Sequence, residues 1–559
     1  MKEKIKGFIF PTLITVPFML IYYYLALPAI NLRAIGFWIM LVLSIAVFIG
    51  SYVSMNNSAF LKDVAAWLKA SANSPKSANT DYHVKINVSK SVKITLMVIA
   101  IIVAVVLLLC FVTSSKVFRA KAYQDMLDVV ESDFEKDIVE LDFDQIPVVD
   151  KDTAARLGNR KIGEVVALVS QFNVSNYYSQ INYKAKPYRV TPLEYAGLLK
   201  WFSNKDEGIP YYVTIDMASQ QTELVKLEEG MKYSPSEFFA RDLERHIRFA
   251  YPTKMFENLS FEIDDNGSPY WVMSYYNYTI GIVGGKDIKG VILVDAVTGE
   301  MTDYEIEKVP QWIDLAYSAE LIVEQADNWG TYKNGFFNSL FVQKDVVVTT
   351  EGYNYVAVDD DVWLYTGITS VVADESNIGF ILVNMRTKEA KTYMINGAEE
   401  YSAMESAQGQ IQEKNYTATF PILLNIADRP TYFISLKDNA GLVKSYAFVS
   451  VAEYHIVGVA DTIEGAKNEY LRLLGVDNTE NDVGSESVEH IGKVEKIATA
   501  VKNGNSLYYI KLESDDGIYI ANITISDILP LIMVGDDISF TADENGKITE
   551  IKYTIYSAG

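Results

Sequence analysis

The chain has 559 residues, of which 49% are hydrophobic and 12% aromatic, so it is long and apolar enough for several domains with sizeable cores. Its net charge of −23 is unevenly distributed, because residues 1–115 are net positive and the remainder is strongly acidic. An acidic body repels nucleic-acid phosphates, and the single cysteine, Cys110, lies in an apolar run, which excludes disulfides, cysteine zinc sites and thiol catalysis from that body.

Three uncharged apolar runs, at about 7–27, 35–53 and 94–113, reach the ~20 residues that a helix needs to cross the hydrocarbon core. A cleaved signal peptide is the competing interpretation of the first run. That run is long, lacks a small-residue cleavage site and is followed at once by the second run, which favours a membrane span. We therefore predict a membrane domain with three transmembrane helices over residues 1–115.

The distribution of lysine and arginine predicts the orientation of these spans. Nine basic residues lie in the first six residues and in the segment 55–93, whereas the short connection 28–33 holds one, Arg33. The positive-inside rule then places the N-terminus and the longer loop in the cytoplasm, and everything after Thr113 outside the cell membrane. Three basic residues directly after the third run oppose this assignment.

Residues 116–175 are predicted to form a helical stalk and linker. Apolar residues at helical spacing indicate one helix over 116–141, which ends before Pro147, and a second helix over 153–172.

From Asn176 onwards the chain alternates aromatic and β-branched residues with turn residues, which predicts antiparallel strands. We recognise four loose copies of one strand-turn-strand-helix unit, beginning near Gly208, Gly267, Gly379 and Pro430. The copies form a first pair over 176–330 and a second pair over 331–476. An apolar cluster at 334–341 between the pairs is predicted to be packed core rather than an exposed partner site.

The C-terminal part begins with a polar linker, 477–489. Five short strands with good turn residues between them then predict a small OB-like β-barrel over 490–559. The strands lack a basic groove, so an adaptor or a packed cap is favoured over nucleic-acid binding.

Two acidic stretches could supply oxygen ligands for a cation, Asp359-Asp360-Asp361 and Asp264-Asp265-Asn266-Gly267. Neither has the spacing of a calcium loop, and Asp and Asn are favoured in turns between strands, so turn formation is the preferred interpretation. The four histidines are far apart and show no metal-ligand spacing. We assign no metal-binding residue.

Catalytic and cofactor motifs are also missing from the sequence. Glu399-Glu400 is one of many carboxylate pairs, the glycines over 281–290 lack the Lys-Ser/Thr of a phosphate loop, and no GxSxG motif occurs in a fitting context. We assign no catalytic residue, no cofactor-binding residue and no cofactor. Whether the chain is an enzyme stays open, with a non-catalytic protein favoured. The 37 tyrosines predict cross-strand packing, or binding of glycan or peptide where they are exposed.

The segments Pro269-Tyr270-Trp271-Val272 and Val294-Asp295-Ala296-Val297-Thr298-Gly299-Glu300 resemble the signature of PepSY domains, in which a strand pair joined by a D-x-x-T-G-E turn packs on a helix. The third unit departs from it with Asn384 and Thr387-Lys388-Glu389, and the first and fourth units lack the turn. The family occurs on the extracytoplasmic side of bacterial membranes, where members restrain peptidases or act as sensory or assembly modules. Three spans followed by such units resemble large membrane-anchored proteins of Gram-positive bacteria.

The predicted fold is thus three N-terminal transmembrane helices, then an α+β body of repeated antiparallel strand-turn-strand-helix, PepSY-like units, and a C-terminal small OB-like β-barrel. The predicted function is a membrane-tethered, extracytoplasmic binding, scaffolding or regulatory protein of the bacterial cell envelope, non-catalytic. The alternative is an envelope hydrolase that acts on peptide or glycan through an acidic cleft. Expected partners are the membrane, into which the chain is integrated, and other envelope or membrane proteins, with no nucleic acid. The sequence leaves the oligomeric state open.

Overall fold

The structure is a computed structural model that describes residues 2–56, 90–140, 145–358, 360–371, 376–475, 488–502, 505–526, 528–542 and 546–553. The chain divides into two compact units, Met1–Leu473 and Leu474–Gly559, and each is treated by itself. Most of the predicted loop between the second and third spans, most of the linker 477–489, and Asp359 lie outside the described residues.

The helices of the described residues are, in chain order, α1 (Lys2–Ala26), α2 (Ile35–Asn56), α3 (Lys90–Ser114), α4 (Lys116–Gln124), α5 (Phe134–Asp137), α6 (Lys151–Gly163), α7 (Val166–Val169), α8 (Leu198–Asn204), α9 (Leu243–Ala250), α10 (Ala319–Thr331), α11 (Glu400–Gln410) and α12 (Ile463–Leu473).

The three predicted apolar helices near the N-terminus are confirmed. Stretches long and apolar enough to cross a membrane lie at Ile9–Ala26 in α1, Ile35–Tyr52 in α2 and Val103–Gln124 over α3 and α4. At most 11% of each stretch is buried inside the protein, which leaves these apolar side chains for lipid. The first stretch continues through Pro11 and Pro17 without ending the helix.

Four sheets follow the spans within the first unit, all antiparallel except for the pairing of β1 with β15. Sheet 1 contains β2 (Phe172–Val174), β3 (Ser179–Tyr183), β4 (Lys186–Tyr195), β5 (Ile209–Asp216) and β6 (Thr222–Met231). Sheet 2 contains β7 (Met255–Ile263), β8 (Pro269–Ile280), β9 (Gly284–Asp295) and β10 (Met301–Glu305).

Sheet 3 contains β1 (Val129–Glu131), β11 (Val347–Thr349), β12 (Asn354–Val358), β13 (Asp361–Ser370), β14 (Ser376–Asn384), β15 (Ala390–Tyr393) and β16 (Gly397–Ala398). Sheet 4 contains β17 (Thr417–Ala418), β18 (Ile422–Ile426), β19 (Arg429–Lys437), β20 (Val443–Ser450) and β21 (Val457–Ala460).

One continuous core joins sheets 2 and 3 through α10. Val291 of β9, Leu364 of β13 and Ile322 of α10 are fully buried in the same cluster. Burying a side chain of this size contributes about 2 kcal/mol, so the two sheets stabilise each other through the helix between them. Val291 and Leu293 of β9 face this core, and Ile292 and Val294, on the other face of the sheet, are buried as well, so both faces of the apolar run of β9 are covered.

A hydrogen-bonding pattern repeats four times along the body. It centres on the backbone of Met217, Ala296, Met385 and Val451. Each of these N–H groups donates, at 2.9 to 3.3 Å, to a carbonyl at the start of an earlier strand of the same sheet. The accepting residue is the first or second residue of that strand: Pro187, Pro269, Val362 and Pro430. Each of their carbonyls accepts, at 2.9 Å, from an N–H in a segment that precedes a helix: Val148, Lys232, Tyr317 and Ala398. We define the four repeats by these contacts as 148–217, 232–296, 317–385 and 398–451.

The order of elements in a repeat differs from the predicted one. Within each repeat the helix (α6, α9, α10 or α11) comes before the strands, whereas the sequence suggested strands followed by their helix. Strand and helix segments that alternate along a sequence can be grouped into repeats with the helix first or last. The sequence pattern therefore does not reveal which helix shares a core with which strands. Among the described residues, a helix that follows the strands also packs on them in two places: α10 shares its core with sheet 2, and α12 packs against β20 and β21.

The hairpin turns of repeats 1, 2 and 3 are built alike. Asp216, Asp295 and Asn384 each begin a turn in which the side-chain Oδ1 accepts from the two N–H groups two and three residues further on, at 2.8 to 2.9 Å. The fifth residue of each turn has a left-handed backbone, with φ of 62° at Gln220, 77° at Gly299 and 65° at Lys388. The prediction that the first unit lacks this turn was wrong.

Two further predictions about the body were wrong. The helix predicted over 116–141 ends at Gln124, and the chain then forms β1, which pairs with β15, and the short α5. Pairing with a distant strand outweighed local helical spacing there. The apolar cluster at 334–341 is not core, because Phe337, Leu340 and Phe341 are exposed.

The body lies at the end of the spans where α1 is connected to α2. In that connection the N–H of Ile30 donates to the Pro252 carbonyl at 2.7 Å, and Nη1 of Arg33 donates to the Tyr278 carbonyl at 3.0 Å. At the end of α3, the hydroxyl oxygen of Ser114 accepts from the N–H groups of Ile282 and Val283 at 3.0 and 3.1 Å. The hairpin between β8 and β9 therefore lies directly against the third span.

The second unit contains five strands near the predicted positions: β22 (Val488–Lys502), β23 (Asn505–Leu512), β24 (Tyr519–Asn522), β25 (Asp537–Ala542) and β26 (Ile548–Tyr553). They form one antiparallel sheet in the order β24-β23-β22-β25-β26 over a core of its own. The ladders of the described residues do not close into a barrel. One isolated parallel bridge joins Ile520 to Lys547.

Candidate functional site

A cleft of about 490 Å³ opens where repeats 1, 2 and 3 meet. Its walls are the segment 176–179 before and at the start of β3, residues 258–260 of β7, the segment 315–320 that leads into α10, and β12 with the residue before it. The pairing of β7 with β8 shifts register between Phe256 and Leu259, so a bulge of the edge strand forms one wall.

Five tyrosines line this cleft: Tyr177, Tyr178, Tyr317, Tyr353 and Tyr355. Three of these rings pack against neighbouring aromatic rings: Tyr177 lies edge-on against Trp271 at 5.3 Å, and Tyr353 lies edge-on against Tyr355 at 5.7 Å. Burial raises the pKa of all five phenols, and the Tyr178 hydroxyl is itself buried. The cleft offers flat apolar faces with polar edges.

Two side chains of opposite charge stand on the walls of the cleft. Lys151 is the first residue of α6, and Glu320 lies in the first turn of α10, where Ser318 caps the helix by accepting from the Leu321 N–H at 3.3 Å. Both side chains are exposed. The helices α6 and α10 therefore both begin at the wall of the cleft, beside this pair of charges.

Two carboxylates, Glu262 and Asp314, lie behind the floor and do not line the cleft. Oε2 of Glu262 accepts from the Asp314 N–H at 2.8 Å, and its Oε1 accepts from the Ser260 hydroxyl at 2.7 Å. Oδ2 of Asp314 accepts from the Asn182 N–H at 2.6 Å. Its other oxygen, Oδ1, is buried without a hydrogen-bond partner among the residues that the structure describes.

Burial raises the pKa of Glu262 to about 7, although its hydrogen bonds oppose the shift. Burial, and then the charge of Glu262, raise the pKa of Asp314 well above its usual range. Both groups are fully buried. The pair is placed to hold a proton at neutral pH, but it has no access to a ligand in the cleft.

The acidic stretches considered from sequence form turns and ion pairs. Oδ1 of Asp264 accepts from the N–H groups of Asn266 and Ser268 at 2.9 and 2.8 Å, which builds the turn before β8. Asp361 forms a two-pronged ion pair with Arg386 at 2.7 and 2.8 Å. Among the described residues, no three or more His, Cys, Asp or Glu side chains come together as a possible metal site.

The remaining sequence candidates lie away from the cleft. Glu400 is buried at the start of α11, where the amide of Asn377 donates to it at 3.3 Å. The glycines of 281–290 belong to the hairpin against the third span, and a Cβ at Gly281 would meet the carbonyl of Thr113. These glycines thus permit close backbone contact and form no phosphate loop.

Most residues of the cleft were not predicted as a site. The sequence assigned its 37 tyrosines to packing or to binding as a group, without indicating which five of them line the cleft. The sequence also indicates no binding role for two further residues of the cleft, Lys151 and Glu320. The residues that line the cleft come from three consecutive repeats and extend from Lys151 to Tyr355 along the chain, and no local sequence pattern indicates that they lie together.

The chain was compared with protein-family models and with curated proteins, and neither comparison finds a match.

Proposed function

We propose that this chain is a membrane-tethered, extracytoplasmic binding, scaffolding or regulatory protein of the cell envelope of a Gram-positive bacterium, built of PepSY-like repeats and without catalytic activity of its own. The observation that carries the proposal is the tyrosine-lined cleft where three repeats meet. Concave sites with aromatic walls and a few placed polar groups are the usual form of a ligand site. The backbone contacts that recur in the four repeats, and the hairpin turn shared by repeats 1, 2 and 3, support the PepSY-like assignment.

The cleft suits a short peptide. Lys151 favours a carboxylate, Glu320 favours an ammonium or guanidinium group, and the tyrosine rings can pack against the side chains of a peptide. The edge strand β7 contacts β3 and β4, with the Phe261 N–H donating to the Ser179 hydroxyl at 3.2 Å. That edge is covered, which favours binding in the cleft over addition of a strand to sheet 2.

Binding can be tested with the detergent-solubilised full chain, a library of short envelope-type peptides with free or amidated C-termini, and glycan oligomers of similar size. We expect a peptide with a free carboxylate to bind. We expect Lys151→Gln and Glu320→Gln each to raise its Kd roughly tenfold, as loss of a charged hydrogen bond does.

The matched controls are Lys444→Gln and Glu413→Gln, which remove exposed charges outside the cleft and should leave the Kd unchanged. If the peptide had the same Kd for all four variants, the cleft would not be its binding site. Binding of glycan in place of peptide would keep the site and change the ligand.

The second candidate, an envelope hydrolase, is favoured by the raised pKa of Glu262 and Asp314, since catalytic acids are found with such shifts. Their separation from the cleft opposes it, because Glu320 is the one carboxylate among the residues that line the cleft. Mass spectrometry of the bound peptides after prolonged incubation decides between the two. Unchanged peptides support binding, and cleavage that Glu262→Gln abolishes supports the hydrolase.

For the C-terminal unit we propose an OB-like module. The strand order, in which the first strand pairs with the second and the fourth, supports this, as does the parallel bridge between Ile520 and Lys547 at the place where such a barrel closes.

A further inference from the structure

Two clusters of exposed apolar side chains adjoin the ends of the membrane spans. The α8 patch consists of Leu198, Leu199, Phe202, Phe238, Phe239 and Phe249. The 338–342 patch consists of Phe337, Leu340, Phe341 and Val342, on and beside the short helical turn Asn338–Val342. Large aromatic and aliphatic side chains in contiguous exposed groups normally mark an interaction surface.

The α8 patch is continuous with the end of α1. The ring of Phe249 stacks on Tyr23, in the last turns of α1, at 5.9 Å. The guanidinium of Arg245 lies 4.2 Å from the Tyr24 ring, and its Nη1 donates to the Phe239 carbonyl at 2.7 Å. An unbroken chain of contacts thus leads from the first span to Phe239.

The same chain of contacts continues from Phe239 to α8. The ring of Trp201 lies 5.8 Å from Phe239 and 4.7 Å from Phe202. Leu199, on the same helix, is 79% exposed. The apolar surface of α8 therefore belongs to the region where the first span leaves the membrane.

The 338–342 patch is continuous with the end of α3. The Tyr123 hydroxyl donates to the Ser114 carbonyl, at the last residue of α3, at 2.7 Å. Tyr332 and Phe336 pack in the same cluster as Tyr123. Phe336 in turn lies 5.7 Å from Phe337, which leads to Phe341 with 77% of its surface exposed.

We propose that both patches insert into the boundary between headgroups and hydrocarbon of the leaflet from which the body emerges, so that the bilayer itself is their partner. The α8 patch touches the last turns of the first span through Phe249, and the 338–342 patch is joined to the end of α3 through Phe336 and Tyr123. Both patches therefore lie close to the ends of the spans, near the level of the membrane surface. Aromatic side chains are favoured at that level, and basic side chains beside them, such as Arg245 and Lys344, keep their charged ends in the headgroup region. The body would then rest against the membrane on two sides of the spans.

The test uses the full-length chain with Cys110→Ala, reconstituted in vesicles of phosphatidylcholine, with a nitroxide attached to Leu199→Cys or to Phe341→Cys. The matched control is Tyr454→Cys, which is 52% exposed in the turn between β20 and β21 and belongs to neither patch. Collision with oxygen, which dissolves in lipid, and with a water-soluble nickel complex is measured at each site. Equal thermal midpoints for the labelled chains show that labelling at these exposed positions leaves the fold intact.

We expect both patch sites to collide more with oxygen and less with the nickel complex than the control site does, and to do so also when phosphatidylglycerol is added to the vesicles. Nickel accessibility like that of the control site, at either patch, would overturn the proposal. Dipolar broadening of the nitroxide spectrum that disappears on dilution with unlabelled chain would also overturn it, because a second copy of the chain would then cover the patch.

Discussion

At the scale of single residues, the most informative feature is a pair of acids that the sequence presents as ordinary surface groups. Glu262 alternates with Phe261 and Ile263 in β7, which in isolation predicts a solvent-facing carboxylate. The segment that leads into α10 covers this carboxylate, because the Asp314 N–H donates to it, and Glu262 is fully buried beside Asp314. The sequence could not indicate this, because the covering residues come from other repeats.

The pKa of Glu262 predicts how stability depends on pH. Its pKa is raised from 4.5 to about 7 in the folded chain, so the folded state binds the proton more tightly than the unfolded state does. This contribution is fully present below about pH 4.5 and is lost as the pH rises through about 7. It amounts to on the order of 3 kcal/mol, and Asp314 acts in the same direction.

We expect the thermal midpoint of the solubilised chain to decrease as the pH is raised from 5 to 8. The thermal midpoint of the Glu262→Gln variant should decrease less over the same range. The glutamine can present its carbonyl to the Asp314 N–H and its amide to the Ser260 hydroxyl, so the hydrogen bonds are preserved. Glu320→Gln, which removes an exposed carboxylate, controls for the change in net charge. A pH dependence that Glu262→Gln leaves unaltered would show that other groups cause it.

At the scale of elements, strands and most helices follow from the sequence, and the hairpin turns show why the repeat was only partly recognised. The turn at Asp295 has the glycine that a left-handed position favours, and it was identified. The turn at Asp216 has the same hydrogen bonds with Gln220 in the left-handed position, and it was missed. Backbone geometry is thus preserved where residue identity is not.

Substitution at Asp216 tests the shared turn. Asp216→Ala removes an acceptor from the N–H groups of Ala218 and Ser219, and we expect it to cost about 1 to 2 kcal/mol of folding free energy. Asp216→Asn should be nearly neutral, because Asn384 fills the same role in repeat 3. Thermal unfolding of both variants measures the difference. Equal loss of stability in the two would mean that the charge of Asp216, rather than the turn, is what matters.

At the scale of the whole molecule, the contacts of Ile30 and Ser114 place the body at the end of the spans opposite the N-terminus. After Gln124, the described residues contain no further helix long and apolar enough to cross a membrane. The orientation of α1 in the membrane therefore determines the side on which the body lies.

Cysteine labelling measures that orientation. In the Cys110→Ala background, we expect Ser514→Cys to react with an impermeant maleimide on intact cells, because the basic N-terminal segments favour the cytoplasm and the body then lies outside. Ser74→Cys, in the loop predicted to be cytoplasmic, should react only after lysis. The reverse pattern would contradict both the orientation and a function in the cell envelope.

The sequence by itself determined the three apolar helices, the α+β character of the body, the strands of the C-terminal unit and the turn at Asp295, since each follows from periodicity, run length or turn residues within about 20 positions. The tertiary structure decided which helix packs on which strands, that Phe341 is exposed and Glu262 buried, and that five tyrosines form one cleft. The physical reason is that burial and proximity depend on contacts between repeats far apart in the chain, whereas a local pattern records only the face that a residue presents within its own element.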